Sequence, residues 1–242
     1  MAERIGLGLI GFGIMGERLA RFGAGHDKVR LTGVWDPSPE AAIRLAEAAP
    51  GVPMLDSPDA VIAGCDCLYI AAPPAFHLVH AKAAFAAGKA VFLEKPLSVD
   101  TAEAQAFVAA AEAAGARGAV NFPMASSPAV AQLNAWRAEG VVGDPRELSI
   151  TIAFANWPRS WQRGAHGWLD RPQQGGFTRE VVSHFLFLTR RQLGPLVLEQ
   201  ARATFAAPDR SETAIAAKLT AGGVPVALSG GVGTTLAADH TA

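Results

Sequence analysis

The stretch Ile5-Gly6-Leu7-Gly8-Leu9-Ile10-Gly11-Phe12-Gly13-Ile14-Met15-Gly16 decides the fold. Its first six residues read as a buried parallel strand, and a helix is expected over Glu17–Ala24. Between them lies G-x-G-x-x-G. That pattern is weak alone, but after a strand and before a helix it has the context that dinucleotide binding needs. Gly11 allows the tight turn, Gly13 lets the backbone approach a pyrophosphate, and Gly16 lets helix and strand pack closely. The helix tip offers unpaired N–H groups and a positive dipole end to the phosphates. Phe12, Ile14 and Met15 complete this cofactor loop. Asp36 follows Gly16 by 20 positions, at the end of the next strand. A carboxylate there accepts hydrogen bonds from the adenine-ribose hydroxyls and repels a 2′-phosphate. Pro37, Ser38 and Pro39 come next, with no arginine beside the acid, so NAD is expected rather than NADP.

Outward from this segment, strands and helices alternate. Strands are expected at Val29–Trp35, Cys67–Ala71, Ala90–Leu93 and Ala119–Phe122. Helices are expected at Pro39–Ala49, Phe76–Ala87 and Thr101–Ala114. This order implies a doubly wound parallel sheet covered on both faces, an α/β Rossmann domain over residues 1–122. Ligands in such sheets bind beyond the carboxyl ends of the strands. Ala72, Pro73 and Pro74 lie there, a stiff edge for ribose or nicotinamide. His77 follows, either reaching the cofactor or capping its helix. Glu94-Lys95-Pro96 ends the fourth strand, and Pro96 disfavours a helical Lys95. The lysine then points into the crevice, or the pair is a solvated turn.

Residues 123–242 change character. A helix is expected at Pro128–Glu139, a strand at Glu147–Phe154, and a Trp- and Arg-rich loop over 156–176. A helix at Thr178–Gln192 and strands at Leu196–Phe205, Thr213–Leu219 and Val224–Leu228 complete an α+β domain with an antiparallel-rich sheet. On the helix, Glu180 and His184 stand one turn apart. They form either an acid–histidine pair for proton transfer or an ordinary surface pair. Phe177, Val181, Phe185 and Leu188 form a stripe that can bury the helix.

Composition excludes several classes. The chain has 242 residues, 50% hydrophobic and 18% charged, enough for two packed domains. Its net charge of −1 gives no basic surplus for nucleic acid or a lipid surface. Cys65 and Cys67 are too few for a structural zinc site, and no metal is expected. As alternate residues of a strand they would share a face as small hydrophobes. Neither a signal peptide nor a membrane span is visible, so a cytoplasmic protein is expected.

Gly11-x-Gly13-x-x-Gly16, Asp36, Pro73-Pro74 with His77, and above all Glu94-Lys95-Pro96 resemble the glucose–fructose oxidoreductase / inositol dehydrogenase (Gfo/Idh/MocA) family. Gly175-Gly176 followed by Glu180 and His184 adds a fifth match. The resemblance implies a two-domain dehydrogenase or reductase acting on a sugar, polyol or related hydroxyl or carbonyl compound. It implies that Lys95 polarises the reacting oxygen, that His184 is the general acid/base, and that Glu180 orients the histidine or the substrate. The family usually has Asp where Glu180 stands, and often an arginine where Asn121-Phe122-Pro123-Met124 has none. The loop with Trp157, Arg159, Trp161, Arg163, His166 and Trp168 is distinctive, suited to a substrate or to a partner subunit. Family members usually continue well past the equivalent of Gly233, whereas here Gly230-Gly231-Val232-Gly233-Thr234-Thr235 leads to a polar end, Asp239-His240-Thr241-Ala242. A shortened second sheet with an exposed edge is therefore expected, and with it a homo-oligomer formed through that sheet. Two alternatives stand beside this reading: a silent dinucleotide-binding sensor or assembly protein, and an enzyme for a dihydrodiol or imine.

Overall fold

The computed structural model describes residues 4–233 and 240–241. Residues 1–3, 234–239 and 242 lie outside the described residues, among them Thr234 and Thr235 and, of the polar end, Asp239 and Ala242. The chain divides into two compact units, Met1–Asn121 and Phe122–Ala242.

The first unit runs β1 (Ile5–Ile10), α1 (Ile14–Gly23), β2 (Val29–Trp35), α2 (Glu40–Ala48), α3 (Pro58–Ala63), β3 (Cys67–Ile70), α4 (His77–Ala86), β4 (Ala90–Glu94), α5 (Thr101–Ala113) and β5 (Gly118–Asn121). The five strands are parallel in the order β2-β1-β3-β4-β5. From β1 the chain passes to β2 on one side and then to β3 on the other. The carboxyl ends of β1 and β3 therefore flank the switch point where such sheets bind ligands. Strand residues alternate between two apolar clusters: Leu7, Leu9 and Tyr69 join one, Ile10, Leu68 and Ile70 the other. Covering on both faces explains why β1 reads as a continuous apolar run.

Two details differ from the sequence reading. Helix α3 was not expected, because six residues are too few to show a 3.6 period. Ser57 caps it, accepting from Ala60 N at 3.1 Å, with Pro58 in its first turn. Cys65 and Cys67 do not share a face. Cys65 precedes β3 and joins one cluster, while Cys67 packs against the other, so strand alternation does not link them. Both are free thiols, their pKa values pushed up by burial.

The second unit contains α6 (Pro128–Ala138), β6 (Leu148–Phe154), α7 (His166–Leu169), α8 (Ser183–Leu193), β7 (Leu196–Phe205), β8 (Glu212–Ala221), β9 (Val224–Val232) and β10 (His240–Thr241). Sheet order is β10-β6-β9-β8-β7. The sheet is mixed: β6 and β9 are parallel and the other pairings antiparallel. On one face Ile150, Ile152, Leu219, Val226 and Leu228 pack with Phe177, Val181 and Val182. The alternate residues Ser149, Thr151, Ala216, Lys218, Ala227 and Ser229 are exposed. A π-helical turn at Thr178–Val182 leads into α8. Its i→i+5 spacing aligns Phe177 with Val182, so Val182 joins the buried stripe and Leu188 is not among the packed residues.

Candidate active site

At the end of β1, Gly11 has φ +91° and lies so close to the next strand's turn that a Cβ would come 2.5 Å from Ala72 N. A Cβ on Gly16 would stand 2.1 Å from the Gly11 carbonyl oxygen. Helix α1 thus begins at Ile14, three residues before the expected start, folding Gly16 into its first turn. Gly13 is the N-cap, and no side chain caps the helix. The first N–H groups of a helix have no partner within it. A Cβ at Gly13 would meet nothing within 4 Å, so the tip faces open space. A helix tip with open space and no competing cap fits a pyrophosphate.

Asp36 follows β2. Its Oδ2 accepts from Phe12 N at 2.6 Å and its Oδ1 from Ser38 N at 2.8 Å. A carboxylate so held keeps lone pairs for ribose hydroxyls. The same bond corrects the expectation for Phe12. Its amide is taken by Asp36 and its ring is fully buried, so Phe12 builds the loop. Arg44, which carried no sequence signal, reaches back from α2 and donates to the Phe12 carbonyl at 2.7 Å. Ile14 and Met15 are half-buried at the helix tip.

The turns after β3 and β4 hold the other expected residues. Ala72 is half-buried, Pro73 exposed and Pro74 buried. His77 neither offers a nitrogen to a ligand nor caps α4, in contrast to both expectations. Its ring is buried, with Nδ1 2.7 Å from the Pro96 oxygen and Nε2 2.8 Å from the Ala72 oxygen. Burial lowers its pKa, against the two carbonyls, which raise it. Glu94 is buried as well, which rules out a solvated Glu–Lys turn. Its Oε1 accepts from the Tyr69 hydroxyl and from Asn121 Nδ2, the latter at 2.7 Å. Burial and the Glu94 charge push the Tyr69 pKa far up, so the hydroxyl stays protonated and donates. Half-buried Lys95 stands between Glu94 and Pro96.

In the second unit, Gly175 and Gly176 allow two close approaches. A Cβ on Gly175 would come 2.2 Å from Leu169 O, and one on Gly176 2.9 Å from a Glu212 oxygen. Buried Glu212 accepts from Thr178 N, satisfying a donor at the start of the π-turn. No local pattern marks Glu212, which lies a loop, a helix and a strand away. Glu180 is buried within the π-turn. His184 lies in the first turn of α8, its ring edge-on to Phe122 at 5.6 Å, and Phe122 stacks on Phe187 at 4.1 Å. In the preceding loop the Arg159 guanidinium lies over Phe154 at 5.0 Å and over Trp161 at 4.6 Å. Among the described residues no three His, Cys, Asp or Glu side chains are grouped to hold a metal. No described helix is long and apolar enough to cross a membrane.

A glycine turn at a switch point, with an acid on the neighbouring strand, defines a dinucleotide-binding Rossmann unit. Residues 5–122 match the family model described as "Oxidoreductase family, NAD-binding Rossmann fold", GFO_IDH_MocA. The first unit is thus of the Gfo/Idh/MocA oxidoreductase type, an NAD-binding Rossmann fold, as Asp36 led one to expect. Inositol 2-dehydrogenase of Cereibacter sphaeroides is 36% identical over 115 residues, 46% of this chain and 34% of the relative. The 2,7-anhydro-N-acetylneuraminate hydratase of Escherichia coli is 30% identical over 174 residues, 71% of this chain and 45% of the relative. The chain thus spans between a third and a half of these relatives' length. Among solved structures, WlbA dehydrogenase of Bordetella pertussis, in complex with NADH and UDP-GlcNAcA, superposes with TM-score 0.81. It is 23% identical, with 98% of this chain and 74% of that one covered. At that identity the likeness speaks for the fold alone.

Proposed function

We propose that the chain is an NAD-dependent dehydrogenase or reductase acting on a CH–OH or carbonyl carbon of a polyol or sugar. The observation that carries this reading is Lys95, placed at the carboxyl end of β4 beside a buried, doubly hydrogen-bonded Glu94. The relatives named inositol 2-dehydrogenase support the substrate class. When bound, NAD supplies the hydride acceptor. The Gly11–Gly16 turn and the tip of α1 hold its pyrophosphate, and Asp36 its adenine ribose. Lys95 stabilises the developing negative charge on the reacting oxygen. His184 accepts the proton from that oxygen, a task suited to an imidazole near neutral pH. Glu180, in the π-turn that leads into that helix, favours the charged imidazole that results. The exposed face of the second sheet is assigned to contact with a second copy of the chain.

The test is NADH formation from NAD with a panel of polyols and sugars, beginning with myo-inositol. Turnover that disappears in Lys95→Ala and His184→Ala supports the reading. NAD binding without turnover across the panel overturns it in favour of a silent sensor. The relative named as a hydratase favours a second reading, addition or removal of water. Substrate consumed without net NADH would select that one.

A further inference from the structure

This inference rests on the NAD reading of the first unit. Asp36 at the end of β2 marks the adenosine side, and the tip of α1 marks the pyrophosphate. In the order β2-β1-β3-β4 the remaining half of the dinucleotide extends over the ends of β3 and β4. The β3–β4 ladder stops at Ile70↔Leu93. Beyond it, the turn with Ala72 and the turn with Lys95 and Pro96 have lost their shared strand pairing. His77 fills that gap. Its ring lies between the Ala72 and Pro96 carbonyls, within hydrogen-bond distance of both, and is 1% exposed. His77 is the first residue of α4, a helix held in the core by buried Leu78, Ala81 and Ala84.

We infer that His77 is a positioning residue, a clasp tying the Lys95–Pro96 turn to the Ala72–Pro74 turn. It sets the floor on which the nicotinamide half of the cofactor lies and fixes the place of Lys95. His77 does not itself touch the cofactor, because both ring nitrogens face backbone oxygens. Losing the clasp removes the one N–H that a neutral imidazole donates to these carbonyls, and the ring that spaces the two turns, so the turns separate while the Gly11–Gly16 turn and Asp36 are untouched.

The experiment measures NADH affinity by fluorescence titration and ADP-ribose affinity by competition, in wild type, His77→Phe and His77→Gln. ADP-ribose carries the adenosine and pyrophosphate but no nicotinamide. His77→Phe keeps a ring of similar size and is expected to weaken NADH about tenfold, the loss of the one hydrogen bond the neutral ring donates. ADP-ribose affinity stays at the wild-type value, and His77→Gln, which retains a donor, recovers part of the NADH loss. Equal losses for NADH and ADP-ribose overturn the inference, as does no loss of either. Failure of both variants to fold also overturns it, because the ring would then be a requirement of the core. Wild type that binds neither ligand would instead sink the NAD reading beneath it.

Discussion

Strands β1 and β7 make an instructive contrast. Strand β1 is buried at every position but its first, and its end delivers Gly11 to the switch point. Strand β7 is exposed at every position but its first, with Val197, Leu198 and Phe205 among its open apolar side chains. The first strand completes its core inside its own unit, between two clusters. The second lies at the edge of a sheet packed on one face only. A unit closed on both faces can devote its strand ends to a ligand. A sheet with an open face and an apolar edge is suited to receive another chain.

The largest effect that sharpens this contrast comes from the core of the second unit. Phe177 is fully buried, with Phe154 and Trp157 ring centroids 5.6 and 5.9 Å away. Phe177→Ala is expected to destabilise that unit by about 3–5 kcal/mol in denaturant unfolding, while NADH binding persists at low denaturant. Loss of NADH binding in step with the second unit would break the two-unit picture. A smaller effect is expected within the first unit. Tyr69→Phe removes one of two donors from buried Glu94 and should cost about 1–3 kcal/mol, read by thermal unfolding of the apoprotein. An unchanged melting temperature would mean that the Tyr69–Glu94 bond contributes nothing. The smallest effect on stability belongs to β7. Val197→Asp should change protomer stability by less than about 0.5 kcal/mol, yet lower the mass seen by light scattering. An unchanged assembly would put the contact elsewhere.

The same contrast governs what the sequence disclosed. β1, covered on both faces, reads as an apolar run, and β2 is rich in β-branched and aromatic residues, so both were legible to the residue. The glycine turn and Asp36 were legible because their spacing along the chain reflects the geometry of one βαβ unit. Contacts that join distant residues left no local mark. Tyr69, Glu94 and Asn121 come from three strands, and Glu212 reaches Thr178 from another element. His77 was visible as a residue in the right place, but its ring contacts depend on the fold of two turns. The π-turn before α8 was hidden too, because an apolar stripe at helical spacing does not distinguish i→i+4 from i→i+5.

The open helix tip at Gly13 is the most direct place to test the cofactor site. Gly13→Ala adds a methyl group where, beyond its own chain neighbours, the protein places no atom within 4 Å, at a φ of −77° that alanine tolerates. Calorimetric titration with NAD should show affinity weakened about tenfold or more, the apoprotein melting as wild type does. Wild-type affinity in Gly13→Ala would contradict the claim that the pyrophosphate sits against the tip of α1.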